Sequence, residues 1–336
     1  MPRTLELAKV RLAHQRHASQ LISRPDVTGV GVGLRRRAGS VTDEHVLKVY
    51  VAHKRSLEDL PESAVLPTSL STSHGDTAVD VEEMPVPKIP PMHKPSVPTA
   101  IAEARLRVPR RPALGGASIA HHQFPVGTVA LGVVDLLTGM PCLLSCNHVL
   151  AQLDQAVAGD IVLQPAFADA GGFPMSVVGR VLRWTNVQFG GSPNHADAAI
   201  AVCQPGMAAS YVDGIGQIEG ISPGVELGER VRKVGRTTGL TEGRVIALNA
   251  TFKANYALLG FGNTPALFVD QIVVDLACGY GDSGSLLVDN QNRAAGLLFA
   301  AADHRTTAGH HLHHTWFNPF GTVAAALRIG LLPRGT

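Results

Sequence analysis

The stretch Ala277-Cys-Gly-Tyr-Gly-Asp-Ser-Gly-Ser-Leu-Leu-Val288 sets one acid and two serines among three glycines, directly before an apolar run. A buried strand has no use for so much glycine, which costs chain entropy unless the backbone must turn tightly or come close to another group. One reading that needs this arrangement is a serine nucleophile held on a tight turn. A serine hydroxyl is too weak an acid to attack unaided, so this reading requires a histidine base and a carboxylate elsewhere in the chain.

The composition admits such a site. With 336 residues, 45% of them hydrophobic and only 17% charged, the chain can build more than one real core. The formal net charge of +2 gives no reason to expect nucleic acid or an anionic membrane as a partner. No apolar run is long enough to span a bilayer. Residues 1–22, MPRTLELAKVRLAHQRHASQLI, mix charges among the apolar positions and read as an amphipathic helix, not a signal peptide, so a cytoplasmic protein is expected.

The cysteines point the same way. Cys142 and Cys146 lie on a run that reads as a strand, which would put their Cα atoms roughly 13 Å apart at about 3.3 Å per residue, beyond disulfide reach. No second Cys or His pair follows at finger spacing, so these two and Cys203 and Cys278 read as buried, reduced thiols, and no metal is expected.

Texture divides the chain in three. Residues 1–84 read as a small α+β unit: the helix, two strands in VTGVGVGLRRRAG and EHVLKVYVAH, a short helix at SLEDL and an extended DTAVDVEEM. GVGVG, residues 29–33, lacks a following helix and the rest of a dinucleotide fingerprint, and Arg35, Arg36 and Arg37 read as a solvated hairpin end. Residues 85–112 are dense in proline and basic residues, as an extended linker would be. From 113 to 336 short apolar runs alternate with glycine, which predicts a mainly antiparallel β domain. Helical spacing over NPFGTVAAALRIGLL closes the chain.

Two partners for the serine lie upstream, His148 in LLSCNHVLA and Asp197 in NHADAAIAV, each beside an apolar strand. The order His148, Asp197, Ser283 has gaps of 49 and 86 residues (197 − 148 and 283 − 197). In order, spacing and local context, residues 113–336 resemble the trypsin-like serine peptidases, in their bacterial, disulfide-poor form, whose gaps are about 45 and about 93. The resemblance implies a chymotrypsin-like double antiparallel β-barrel and a peptide or protein substrate cleaved through an acyl-enzyme, with no cofactor. In that scheme Ser283 is the nucleophile and His148 the base. Asp197 orients His148, and the amides of Gly281 and Ser283 form the oxyanion hole. Val149 after the histidine, and Ser285 where the family has a second glycine, depart from the animal pattern without removing a catalytic group.

By the same resemblance the pocket floor falls at Ala277 and Cys278, with Phe299, Ala300 and Ala301 near the substrate backbone. None is a carboxylate, so small or medium apolar side chains are expected over Arg or Lys. Asp282 is expected to pair with an internal group in an uncleaved chain, although ALGGASI, residues 113–119, faintly resembles the new N-terminus that activating cleavage exposes in secreted relatives. GRTTGLTEGRV, residues 235–245, reads as a hairpin. The run from Asp303 to His314, with His304, His310, His311, His313 and His314, carries metal-ligating residue types but reads as a mobile loop near the active site. A catalytically silent module, or a protease inhibited by its own N-terminal unit or linker, remains the alternative.

Overall fold

The computed structural model describes residues 3–89, 104–256 and 265–333. The middle of the expected linker, 90–103, lies outside the described residues. In the first barrel, among the described residues, Leu131–Asp135, Pro141–Ser145, Ala199–Val202, Val177–Trp184, Ile161–Leu163, Ser118–His121 and Gly127–Thr128 are paired in that order. Gly127–Thr128 runs on through Val129 and Ala130 into Leu131, which closes the circuit. The second barrel closes by pairing alone: Arg230–Gly235, Gly239–Ala254, Ala266–Asp275, His311–Pro319, Arg293–Arg305 and Leu286–Val288, the last pairing back onto the first. This is the chymotrypsin-like double β-barrel, and GRTTGLTEGRV is its hairpin turn as expected.

The N-terminal helix Arg3–Ile22 packs Val10, Ala18, Leu21 and Ile22 against Val30, Val32, Leu47 and Val49 of the strands Val27–Arg37 and Ser40–Val51. These strands do not form a separate sheet. Val27–Arg37 pairs antiparallel with Gly239–Ala254, so the sheet of the second barrel extends through the N-terminal unit. Behind that seam Lys48 pairs with Asp80 at 2.9 Å and with Glu82, which also accepts from His314 Nε2 at 2.7 Å. Burial raises the Glu82 pKa, but Lys48 and His314 outweigh it and hold this carboxyl well below the usual range.

Two expectations are corrected. The histidine-rich run is no loop: it forms the end of Arg293–Arg305, a short turn and the start of His311–Pro319, because alternate residues find partners across the hairpin. The closing helix spans only Phe320–Leu327. Arg328 then adopts a left-handed conformation (φ 51°), and Ile329–Leu331 pairs with Val133–Asp135 of the first barrel. All four cysteines are free and buried. No helix among the described residues is long and apolar enough to cross a membrane.

Candidate active site

The strand Pro141–Ser145 ends at Cys146, and the chain winds into the single helical turn Asn147–Leu150 that carries His148. Asn147 fixes this turn: its amide donates to Asp154 Oδ1 at 2.6 Å and to the Thr185 carbonyl at 2.7 Å. Asp197 enters the adjacent strand, whose Ala199 lies opposite Ser145. Register therefore brings together two residues far apart in sequence. His148 Nδ1 lies 2.7 Å from Asp197 Oδ2, and the backbone amide of His148 donates to Oδ1 at 3.1 Å. Both residues are fully buried.

Two residues with no motif complete this pairing. The Tyr256 hydroxyl donates to Asp197 Oδ2 at 2.8 Å, and Asn318 Oδ1 accepts the Asp197 amide at 3.0 Å. Burial, then the Asp197 charge, push the Tyr256 phenol well above its ordinary pKa, so it stays a proton donor. The Tyr256 ring continues an aromatic chain through Phe268 (6.4 Å between centroids) to Phe299 (4.7 Å), which anchors it in the barrel core.

Ser283 comes from the second barrel, on the turn before Leu286–Val288. Gly281 and Gly284 adopt φ of 98° and 96°. A Cβ on Gly284 would sit 2.2 Å from Ser145 Oγ, and one on Gly281 would sit 2.8 Å from Thr237 Oγ1. Both glycines are therefore required by backbone angle and by space. The first barrel grips this turn: Thr128 donates its amide to the Ser283 carbonyl (2.8 Å) and its hydroxyl to the Gly281 carbonyl (2.7 Å).

Asp282 is locked beneath the turn. It accepts from Lys233 Nζ at 3.1 Å, Thr238 Oγ1 at 2.6 Å, and the amides of Thr237 (2.8 Å) and Gly279 (2.9 Å). Burial pushes the carboxyl up, but Lys233, Thr238 and the amides prevail and hold its pKa below the ordinary value. The internal partner expected for Asp282 is thus Lys233. Ala113, meanwhile, is buried in a strand, its amide donating to the Met207 carbonyl at 2.8 Å.

Ser283 Oγ and His148 Nε2 are buried and hydrogen-bonded to no partner, including each other. Among the described residues the amides of Gly281 and Ser283 donate to no protein acceptor. The unpaired hydroxyl and the two unused amides thus lie on one glycine turn, which is held by Thr128 of the first barrel, and the unpaired imidazole nitrogen belongs to that same barrel. Of the expected pocket residues, Cys278 and Ala301 share one apolar cluster and Ala277 is half-buried. Phe299 and Ala300 belong to the main core, and the Phe299 ring packs on Phe252 and Phe268, so Phe299 offers a pocket only its backbone. Burial raises the Cys278 thiol to about 12, which keeps it a neutral apolar group.

No protein-family model and no curated protein matches the sequence. Solved structures do. Three bacterial proteases are among them. Thermobifida fusca protease A is 15% identical over 65% of this chain and 97% of its own, with a TM-score of 0.45. Cellulomonas bogoriensis chymotrypsin is 18% identical over 65% and 97%, with a TM-score of 0.44. Nocardiopsis protease is 16% identical over 66% and 98%, with a TM-score of 0.46.

Neither Tyr256 nor Lys233 was accessible to motif reading. Tyr256 opens an apolar run like many others, and Lys233 sits in an alternating strand where a lysine normally faces water. What marks Lys233 is its burial opposite an acid 49 residues away.

Proposed function

We propose that this protein is a serine endopeptidase that cleaves peptide bonds through an acyl-enzyme. The observations that support the reading are the buried His148–Asp197 pair, whose second carboxylate oxygen is engaged by the His148 amide, and the unpaired Ser283 Oγ on a turn that Thr128 of the first barrel holds. Ser283 Oγ attacks the scissile carbonyl as its proton passes to His148 Nε2. Asp197 stabilises the imidazolium, and the amides of Gly281 and Ser283 receive the oxyanion. His148 then protonates the leaving amine, and water releases the acyl group by the reverse sequence. The neutral Cys278 beside Ala301 favours small or medium apolar side chains at the cleaved position. The four free thiols suit a reducing, cytoplasmic setting.

A second reading, that the enzyme is closed by its own chain, is favoured by a specific contact. Lys88 pairs antiparallel with Ala301. The other edge of that strand is taken by Thr315, so Lys88 occupies the edge on which the Leu298 carbonyl accepts the amide of Gly284, next to Ser283. At Lys88 the described chain therefore runs antiparallel to this strand. Asn255 holds it from the far side, accepting from the Ile89 amide and donating to the Pro87 carbonyl at 2.9 Å each, while the Ile89 side chain is fully buried. An extended peptide substrate would use the same edge. The sequence continues as Pro90-Pro91, and neither residue has an N–H to give to a strand.

Fluorophosphonate labelling tests both readings without knowledge of the substrate. We expect slow labelling of the intact protein, at least about tenfold faster labelling of Ile89→Asp, whose new charge cannot remain buried, and none of Ser283→Ala. Equal rates for the intact protein and Ile89→Asp would leave an open protease and remove the second reading. No labelling of either would overturn the peptidase reading and leave a binding module.

A further inference from the structure

The histidine-rich hairpin divides its side chains between two faces. His304 and His314 turn towards the N-terminal unit, where His304 Nε2 meets the Glu83 carbonyl at 2.9 Å and His314 Nε2 meets Glu82 Oε1 at 2.7 Å. Their neighbours take the opposite face. Asp303 lies directly across from His313, and His311 is two residues before His313, so strand periodicity brings these three together.

Their chemistry is that of a metal site. His311 Nε2 contacts Asp303 Oδ1, His313 Nδ1 lies 3.5 Å from the same oxygen, and the two imidazole centroids are 4.7 Å apart. One ligand atom from each residue falls within 4.8 Å of the others. Zinc bonds of about 2.0–2.2 Å to nitrogen and oxygen place neighbouring ligands roughly 3.5 Å apart, so small rotamer changes suffice. The side chains of Asp303, His311 and His313 keep 23%, 42% and 28% of their surface exposed, which leaves the cluster open to ions from solvent.

We propose that Asp303, His311 and His313 form a surface binding site for one borderline divalent transition metal, zinc above all, with water in the fourth position. Two imidazoles and one carboxylate match zinc and suit calcium or magnesium poorly, since those ions require mostly oxygen ligands. This departs from the reading of the sequence, in which no metal was expected. Histidines two apart show no metal motif until a facing strand supplies the acid. The bound ion would clip together the far end of the hairpin whose near end carries Ala300 and Ala301. The site is independent of the peptidase reading, because none of its residues belongs to the triad.

The test is titration of the full-length protein with Zn2+ by calorimetry and with Co2+ by visible absorption, in the original sequence and in Asp303→Asn, His311→Gln and His313→Gln. Each substitution is at a partly exposed position, and thermal melting without metal checks that the fold persists. A second cluster, Cys146, His148 and Asp197, also brings its ligand atoms within 4.8 Å but is fully buried, so Cys146→Ala serves as the control. We expect one equivalent of Zn2+, a tetrahedral Co2+ spectrum, and binding at least about tenfold weaker in each of the three variants but unchanged in Cys146→Ala. Absence of binding, binding unaffected by all three substitutions, or binding lost in Cys146→Ala would each overturn the proposal.

Discussion

Asp197 and Asp282 are both wholly buried, one at the edge of the first barrel and the other beside Ser283 in the second, yet they are neutralised differently. Asp282 faces the ammonium of Lys233 and four further donors (Thr238 Oγ1 and the amides of Thr237, Thr238 and Gly279). Among the described residues Asp197 faces neutral donors and an imidazole, namely Tyr256, the His148 amide and His148 Nδ1. A carboxylate already matched by a lysine has little charge left to stabilise anything new. One matched by an imidazole strengthens its pairing when that ring takes a proton. The first arrangement suits a structural strut beneath the serine turn, and the second suits catalysis.

Substitutions can break this contrast. The largest effect on rate is expected for Asp197→Asn, which preserves shape but removes the charge and favours the wrong imidazole tautomer. We expect kcat/KM on a peptide substrate, or the fluorophosphonate rate, to fall by about 10,000-fold while the melting temperature changes little. A comparable loss in Asp282→Asn, with stability unchanged, would erase the distinction between the two acids.

Lys233→Met should act on the fold. Removing the cation strands a buried carboxylate, and denaturant unfolding should show a loss of about 3–5 kcal/mol. The pH dependence sharpens the point. Because the folded pKa of Asp282 is depressed, its contribution is complete above the unfolded carboxyl pKa of about 3.9 and is lost as pH falls towards the folded value. Without Lys233 burial pushes the carboxyl upward, so the acid unfolding midpoint of Lys233→Met should move to higher pH. An unmoved midpoint would show that the threonines and amides suffice.

The smallest of these effects belongs to Tyr256→Phe. Loss of a single hydrogen bond to a charged group should lower kcat by about tenfold, with KM nearly unchanged because the hydroxyl meets Asp197 and not the substrate. A change confined to KM would place Tyr256 in the binding cleft instead.

Much of the fold was legible because its signals are local. The strands at TVALGVVD, VVGRVLRW, ERVRKVG and LFVDQIVVD announce themselves by short apolar runs between glycines, and each is present. The glycines around Ser283 were equally readable, since a left-handed φ and a Cβ clash leave little else possible at Gly281 and Gly284. His311–Pro319 was missed because a run rich in histidine has no apolar alternation to betray a strand. Its regularity comes from pairing with Arg293–Arg305.

By itself the sequence determined the barrel-forming texture, the order of His148, Asp197 and Ser283, and the turn that carries the serine. Tertiary structure alone decided which groups neutralise the buried acids, that Phe299 turns its ring into the core, and that Lys88 lies along the edge at Ala301. The reason is separation along the chain. Tyr256 is 59 residues from Asp197, Lys233 is 49 from Asp282, and His314 is 232 from Glu82. Such pairings arise from barrel closure and strand register, which no local pattern of residues encodes.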